Sequence, residues 1–205
     1  MKRTFLALSL SLASAGVFAQ AAQFEGVSVG LGVASVKAET SVSDSLGGSE
    51  KPSKSNVIPS FDLAYTHAPS QKFLLTVGAT YDFAKTKSGD FPHRGETASL
   101  EIGAHYSLYL QPSYLVSDNT ALFVKVAQHS IKGTWKTPLL GEKSVQYDAL
   151  GYGFGVKSFL NKNLFIQAEA QFVDFKDKTF SYASGYTGKY KPQLSAGILT
   201  LGYKF

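Results

Sequence analysis

From about residue 24 to its end, the chain alternates apolar with small or polar residues, and it does so in eight separate stretches. The last of these, Gly197–Phe205 (GILTLGYKF), is the clearest. Leu199, Leu201, Tyr203 and Phe205 share one face, and Thr200, Gly202 and Lys204 the other. A period of two marks a β-strand with two unlike faces. No apolar run after the first twenty residues reaches the roughly 18 needed for a membrane helix. Such a chain can enter a bilayer only as a closed barrel, in which each backbone group pairs with the neighbouring strand.

The N-terminus reads differently. Lys2 and Arg3 precede an apolar run, Phe5–Ala19, that ends in small residues. A basic end, a short greasy middle and small residues in that order make a secretory signal peptide. Val17-Phe18-Ala19 is the expected cleavage signal and Ala19-Gln20-Ala21 a second candidate. The expected organisation is a signal peptide over 1–19 and one barrel domain over 20–205, a length suited to a single domain. Cleavage removes Lys2 and Arg3, so the formal charge falls from +5 to +3. With no basic run or stacking platform, that argues against nucleic acid as a partner. The chain has no cysteine, which excludes disulfides, thiol catalysis, thiolate metal sites and a lipid anchor on the run that follows the signal.

Taken in order, the alternation predicts strands near 24–37, 57–67, 73–84, 98–116, 121–130, 144–160, 164–175 and 190–205. The outward apolar series includes Val27, Val29, Leu31 and Val33; Phe61, Leu63 and Tyr65; Val77, Tyr81 and Phe83; and Leu150, Tyr152 and Phe154. Pro59 is expected near a rim, because proline cannot donate to a central ladder. Three short turns, at 68–71, 117–120 and 161–163, alternate with four longer polar loops at 38–56, 85–97, 131–143 and 176–189. This asymmetry is that of a bacterial outer-membrane barrel, with short turns on one side and long loops on the other. The expected fold is therefore all-β: an eight-stranded antiparallel up-and-down transmembrane β-barrel. A lipocalin-like soluble barrel would turn its apolar face inward. Here the inward series is Gly, Ser, Thr, Gln and charges, which argues against it.

Signal peptide, eight alternating strands and the terminal Phe together resemble the small outer-membrane barrels of the OmpX, OmpA-barrel and opacity-protein type. The resemblance implies an integral protein of the Gram-negative outer membrane, exported through the general secretion pathway. It implies that Leu199, Leu201, Tyr203 and Phe205 are the signal read by the barrel-assembly machinery. It also implies contact with outer-membrane lipid and lipopolysaccharide, and loops that could take a host or cell-surface ligand. The pattern is shared by proteins of several functions.

Eight strands enclose a bore that side chains fill. Asp62, Lys125, Lys157 and Glu169 each fall about four to seven residues from a short turn, which places them at similar depth if shear is modest. Buried charges must be paired, so an interior salt-bridge network is expected, extended toward the outer mouth by Glu101 and His105. The expected role of that network is structural, a polar plug, with surface interaction, adhesion or envelope integrity carried by the loops. A narrow channel is the first alternative. The second is a lipid A-modifying acyl hydrolase or transferase. His105-Tyr106-Ser107 matches the His-x-Ser of one such class, but alternation turns His105 and Ser107 inward, away from lipid. His129 and Ser130 are adjacent and face opposite ways. Asp44, Ser45 and His93 supply the residue types of another class in a different order. The preferred expectation is no enzymatic role. His67, His93, His105 and His129 lie on separate elements, and Glu39, Asp44 and Glu50 match no calcium loop, so no metal or cofactor is expected.

Overall fold

The computed structural model describes residues 19–44, 49–51, 53–84, 86–93, 96–137, 141–181 and 187–205. Eight long antiparallel strands carry the alternation: β1 (Gly26–Asp44), β2 (Ser53–His67), β3 (Phe73–Asp82), β4 (Glu96–Ser117), β5 (Thr120–Thr137), β6 (Gly141–Phe159), β7 (Leu164–Phe175) and β8 (Thr187–Lys204). Each pairs with the next in sequence, and β8 pairs with β1, so the eight long strands close into a barrel.

The register sets the dimensions. A path across the ladders runs from Val29 to Leu63, Ala79, Leu108, Gln128, Leu150, Asp174 and Gln193, and returns to β1 at Glu39. From Val29 to Glu39 is a shear of ten residues. Eight strands with that shear tilt by about 40° and hold the backbone roughly 8 Å from the axis.

Outward positions near the turn end are apolar and exposed: Val27, Leu31 and Val33 on β1, Leu63 and Tyr65 on β2, Leu150, Tyr152 and Phe154 on β6. Along β3 and one residue past its end the series runs from Phe73 to Phe83. Ten residues at ~3.3 Å rise, tilted by ~40°, span about 25 Å, the height of an outer-membrane apolar band. Above that band the faces exchange character. Val36 points in and Lys37 out; Ile131 in and Lys132 out; Val173 and Phe175 in, Asp174 and Lys176 out. At these positions the barrel is built as a water-soluble barrel is, apolar within and polar without.

This exchange corrects the four expected loops. β1 runs on to Asp44, paired to β8 as far as Gly188, and β2 starts at Ser53. β5 continues to Thr137 against β6 from Gly141. Short ladder pieces lie at Ser49–Glu50, Thr86–His93 and Lys178–Ser181. Polar outward residues had disguised these extensions as loop. Pro59 is a second correction. It sits inside β2, paired to Val33 of β1, rather than at the barrel rim. Its carbonyl accepts from the Phe83 N–H at 3.0 Å, but it has no N–H to return, and the β2–β3 ladder ends one residue earlier, at Ser60 and Asp82.

The turn end is closed by apolar packing. Helix α1 (Ala19–Ala22) leads into Phe24, which is buried with Leu74, Leu115, Ala121, Phe159 and Phe165. Phe24 meets the Phe159 ring edge-on at 4.9 Å. Phe165 lies across Gly202 on β8, where a Cβ would come within 2.1 Å of the ring, so that position admits no side chain without a shift. Outside this floor His67 and Glu25 join at 2.8 Å, and the Lys204 ammonium donates to the Glu25 carbonyl at 3.0 Å.

Candidate functional site

Above the aromatic floor the inward positions become polar. Lys125 on β5 forms an ion pair with Glu169 on β7, and both side chains are buried, 5% and 2% exposed. Gln167 and Gln171, two residues either side of Glu169 on the same face, donate to its carboxylate at 3.4 Å each. The Lys125 ammonium also lies 4.3 Å from the Tyr109 ring centroid. Tyr109 in turn donates its hydroxyl to Asp62 on β2, at 2.9 Å to Oδ2, and Thr80 donates to the same oxygen at 3.2 Å. Low dielectric strengthens each of these contacts, and each leaves fewer buried groups unsatisfied.

Lys157 lies apart. The register puts it beside Gln167 and Ala121, nearer the floor, with its ammonium 3.8 Å from the Phe165 ring centroid. Among the described residues no carboxylate is within ion-pair distance of it. The similar depth expected for four charges thus applies to Asp62, Lys125 and Glu169. Shear displaced the fourth, a quantity that counting from turns does not contain.

Nearer the loop end a second group forms. His105 on β4 bonds Asp82 on β3 through Nδ1 and His129 on β5 through Nε2, the latter at 2.9 Å. The two imidazoles stack at 5.1 Å. His129 is fully buried, and its Nε2 packs on Gly151, where a Cβ would lie at 2.6 Å. Asp82 and His129 were not singled out from the sequence as partners of His105. Their inward phase was legible, but the register that sets Asp82 beside His105 was not. Ser107 is buried on the same face as His105, while Tyr106 faces out. Ser130 faces the opposite way to His129 and donates to Asp148 at 2.7 Å.

Glu101 lies beyond a bulge between Gly103 and His105, with backbone partners Thr134 and Lys87. The side chains of Glu101, Asp44 and His93 lie outside those described, as does Ser45 altogether.

Between these groups runs a shaft enclosing about 60 Å³. Its floor is Lys125, Glu169 and Asp62. One wall is apolar, with Ala34, Val36, Ile58, Ala196 and Ile198, and the other carries Thr80, Asp82 and His105. Among the described residues the shaft thus has a largely apolar wall facing a polar one, where the sequence reading expected a polar plug. Leu199, Leu201, Tyr203 and Phe205 all face outward, 46–69% exposed. The Phe205 N–H donates to Val27 O at 2.9 Å and so closes the last strand onto the first.

A closed eight-stranded barrel with a 25 Å apolar belt and a filled bore is an integral membrane barrel. The family model for the outer membrane protein beta-barrel domain matches residues 5–205, and the chain belongs to that family, which places it in the outer membrane. The outer membrane protein OprG from Pseudomonas aeruginosa is 12% identical over 89% of this chain and 98% of that chain, with a TM-score of 0.53. Ail, the attachment invasion locus protein of Yersinia pestis, is 18% identical over 88% of this chain and 99% of that chain, with a TM-score of 0.50. At these identities the likeness is one of fold. No curated protein matches the chain.

Proposed function

We propose that the protein is a sealed outer-membrane scaffold that acts through its extracellular end, in surface contact or in support of the envelope. The observation that carries this reading is two closures in series: the Phe24–Phe159–Phe165 floor and, above it, the Lys125–Glu169 pair flanked by Tyr109 and Asp62. The ladders that rise above the apolar belt support it further, since paired strands hold an outer surface more firmly than free loops do. Export by the general secretion pathway after cleavage near Ala19 belongs to this reading. So do insertion by the barrel-assembly machinery through Leu199, Leu201, Tyr203 and Phe205, and a setting among lipopolysaccharide. A non-enzymatic role is supported by the partners of His105, which are Asp82 and His129 rather than a hydroxyl nucleophile.

The test is single-channel recording of the mature protein, refolded into a planar bilayer, with a heat-modifiable gel band as proof of folding. A silent bilayer is expected. Discrete conductance steps that change when Asp62 or Lys125 is neutralised would replace this reading with that of a narrow channel.

A further inference from the structure

We propose that the upper shaft is a binding site for a small amphiphile with a protonated amine at one end and a short apolar body. The argument begins with charge. Five ionisable side chains line the shaft: Asp62, Asp82, His105, Lys125 and Glu169. Lys125 forms an ion pair with Glu169, and His105 is hydrogen-bonded to Asp82. Asp62 is left with two hydroxyl donors, Tyr109 and Thr80, and among the described residues no cation within ion-pair distance. Lys157, the other buried cation, does not line the shaft; it sits against the Phe165 ring and interacts with Asp62 only from beyond ion-pair contact.

A carboxylate offers about four acceptor positions, and the hydroxyls of Tyr109 and Thr80 leave at least one open to the shaft. An ammonium there would make a direct charge-assisted hydrogen bond from a cation, which Asp62 otherwise lacks among the described residues. The opposite wall fits the rest of such a molecule. Ala34, Val36, Ile58, Ala196 and Ile198 present methyl groups with no polar atom among their side chains. A hydrated ion would gain nothing from that wall, and a plain alkane nothing from Asp62. Small ligand sites combine an apolar lining with a few placed polar groups in this manner.

Size narrows the class. At ~10–15 Å³ per water-sized position, 60 Å³ holds roughly four to six such positions. That matches an unbranched chain of about as many heavy atoms, so n-pentylamine is the natural probe. The turn end is closed by the aromatic cluster. The site is independent of how the outer end is used, since a silent bilayer and an occupied shaft are compatible.

The experiment is methyl NMR of the isotope-labelled full-length mature protein in lipid nanodiscs, titrated with n-pentylamine, n-pentanol and pentanoate. The inward methyls of Ile58, Ile198 and Ala196 report the shaft. The outward methyls of Leu31 and Leu201 report partition into lipid. Saturable shifts confined to the inward set are expected with the amine, with affinity about tenfold or more above that of the alcohol and no effect from pentanoate. Asp62→Asn should remove that preference, and Ala196→Phe, which fills the shaft without touching Asp62, should abolish the shifts. The heat-modifiable band confirms that each variant is folded. Equal binding of amine and alcohol, binding unchanged in Ala196→Phe, or inward methyls that never move would each overturn the proposal.

Discussion

Removing the Lys125 ammonium while leaving Glu169 in place tests the interior most directly. Both side chains are almost wholly buried, so solvent screening offers little relief. Breaking a buried pair by deleting one partner typically costs about 3–5 kcal/mol, because the remaining charge stays uncompensated. Lys125→Met is expected in the upper part of that range, since Lys125 also loses its seat over Tyr109. Gln167 and Gln171 still donate to Glu169, which keeps the cost from exceeding it. A loss of about 4 kcal/mol lowers the folded-to-unfolded ratio roughly a thousandfold. Glu169→Met alone strands the ammonium and should cost a comparable amount. The double variant Lys125→Met/Glu169→Met strands nothing and should recover most of the loss, to within about 1–2 kcal/mol of the parent. Reversible urea unfolding in vesicles, followed by the heat-modifiable band and far-ultraviolet circular dichroism, gives the three free energies. If the double variant loses the sum of the two single losses, the residues are not coupled and the ion pair does not hold this layer.

Three further outcomes follow from the turn end. Gly202→Ala pushes a methyl into the Phe165 ring and should destabilise by about 1–3 kcal/mol. Adding Phe165→Leu should return part of that in the same unfolding assay, and no recovery would place the strain elsewhere. Phe24→Ala, which empties the centre of the floor, should cost about 3–5 kcal/mol while the bilayer stays silent, because the Lys125–Glu169 layer still closes the bore. At the rim, the His67 hydrogen bond and the Ala68 N–H hold the Glu25 carboxyl below its ordinary value of 4.5. The folded pKa is depressed, so this contact stabilises above the ordinary value and is lost as pH falls through the folded one. NMR titration of the Glu25 carboxyl should show that value return toward the ordinary one in His67→Ala, and an unchanged midpoint would refute the contact.

Where a strand faces lipid, its inward and outward faces were legible because alternation is a property of adjacent residues. Leu31 beside Gly32, or Tyr152 beside Gly153, states its face with no knowledge of a partner. The signal failed where the outside environment changes from lipid to water. At Lys37, Lys132 and Asp174 the outward residues turn polar, and a reading that identifies strands by an apolar outer face takes the continuing ladder for loop. The inner residues Val36, Ile131 and Val173 carried the missing information, with the period intact and its sense reversed. The register shift between Gly103 and His105 was hidden in another way, since a bulge leaves no mark in composition.

From the sequence alone come the class of the protein, its strand count, its closed all-β fold and the chemical character of each face, since these rest on local periodicity and on the bilayer's demand that every backbone group be paired. The tertiary structure alone decides the shear of ten, and with it which inward side chains stand at one height. Asp62, Tyr109, Lys125 and Glu169 come from four strands and meet only in that register. Asp82, His105 and His129 meet for the same reason, and Lys157 is left beside Phe165. Pairing between strands distant in the chain is cooperative over the whole barrel, so the contacts that fill the bore are written in no single stretch of it.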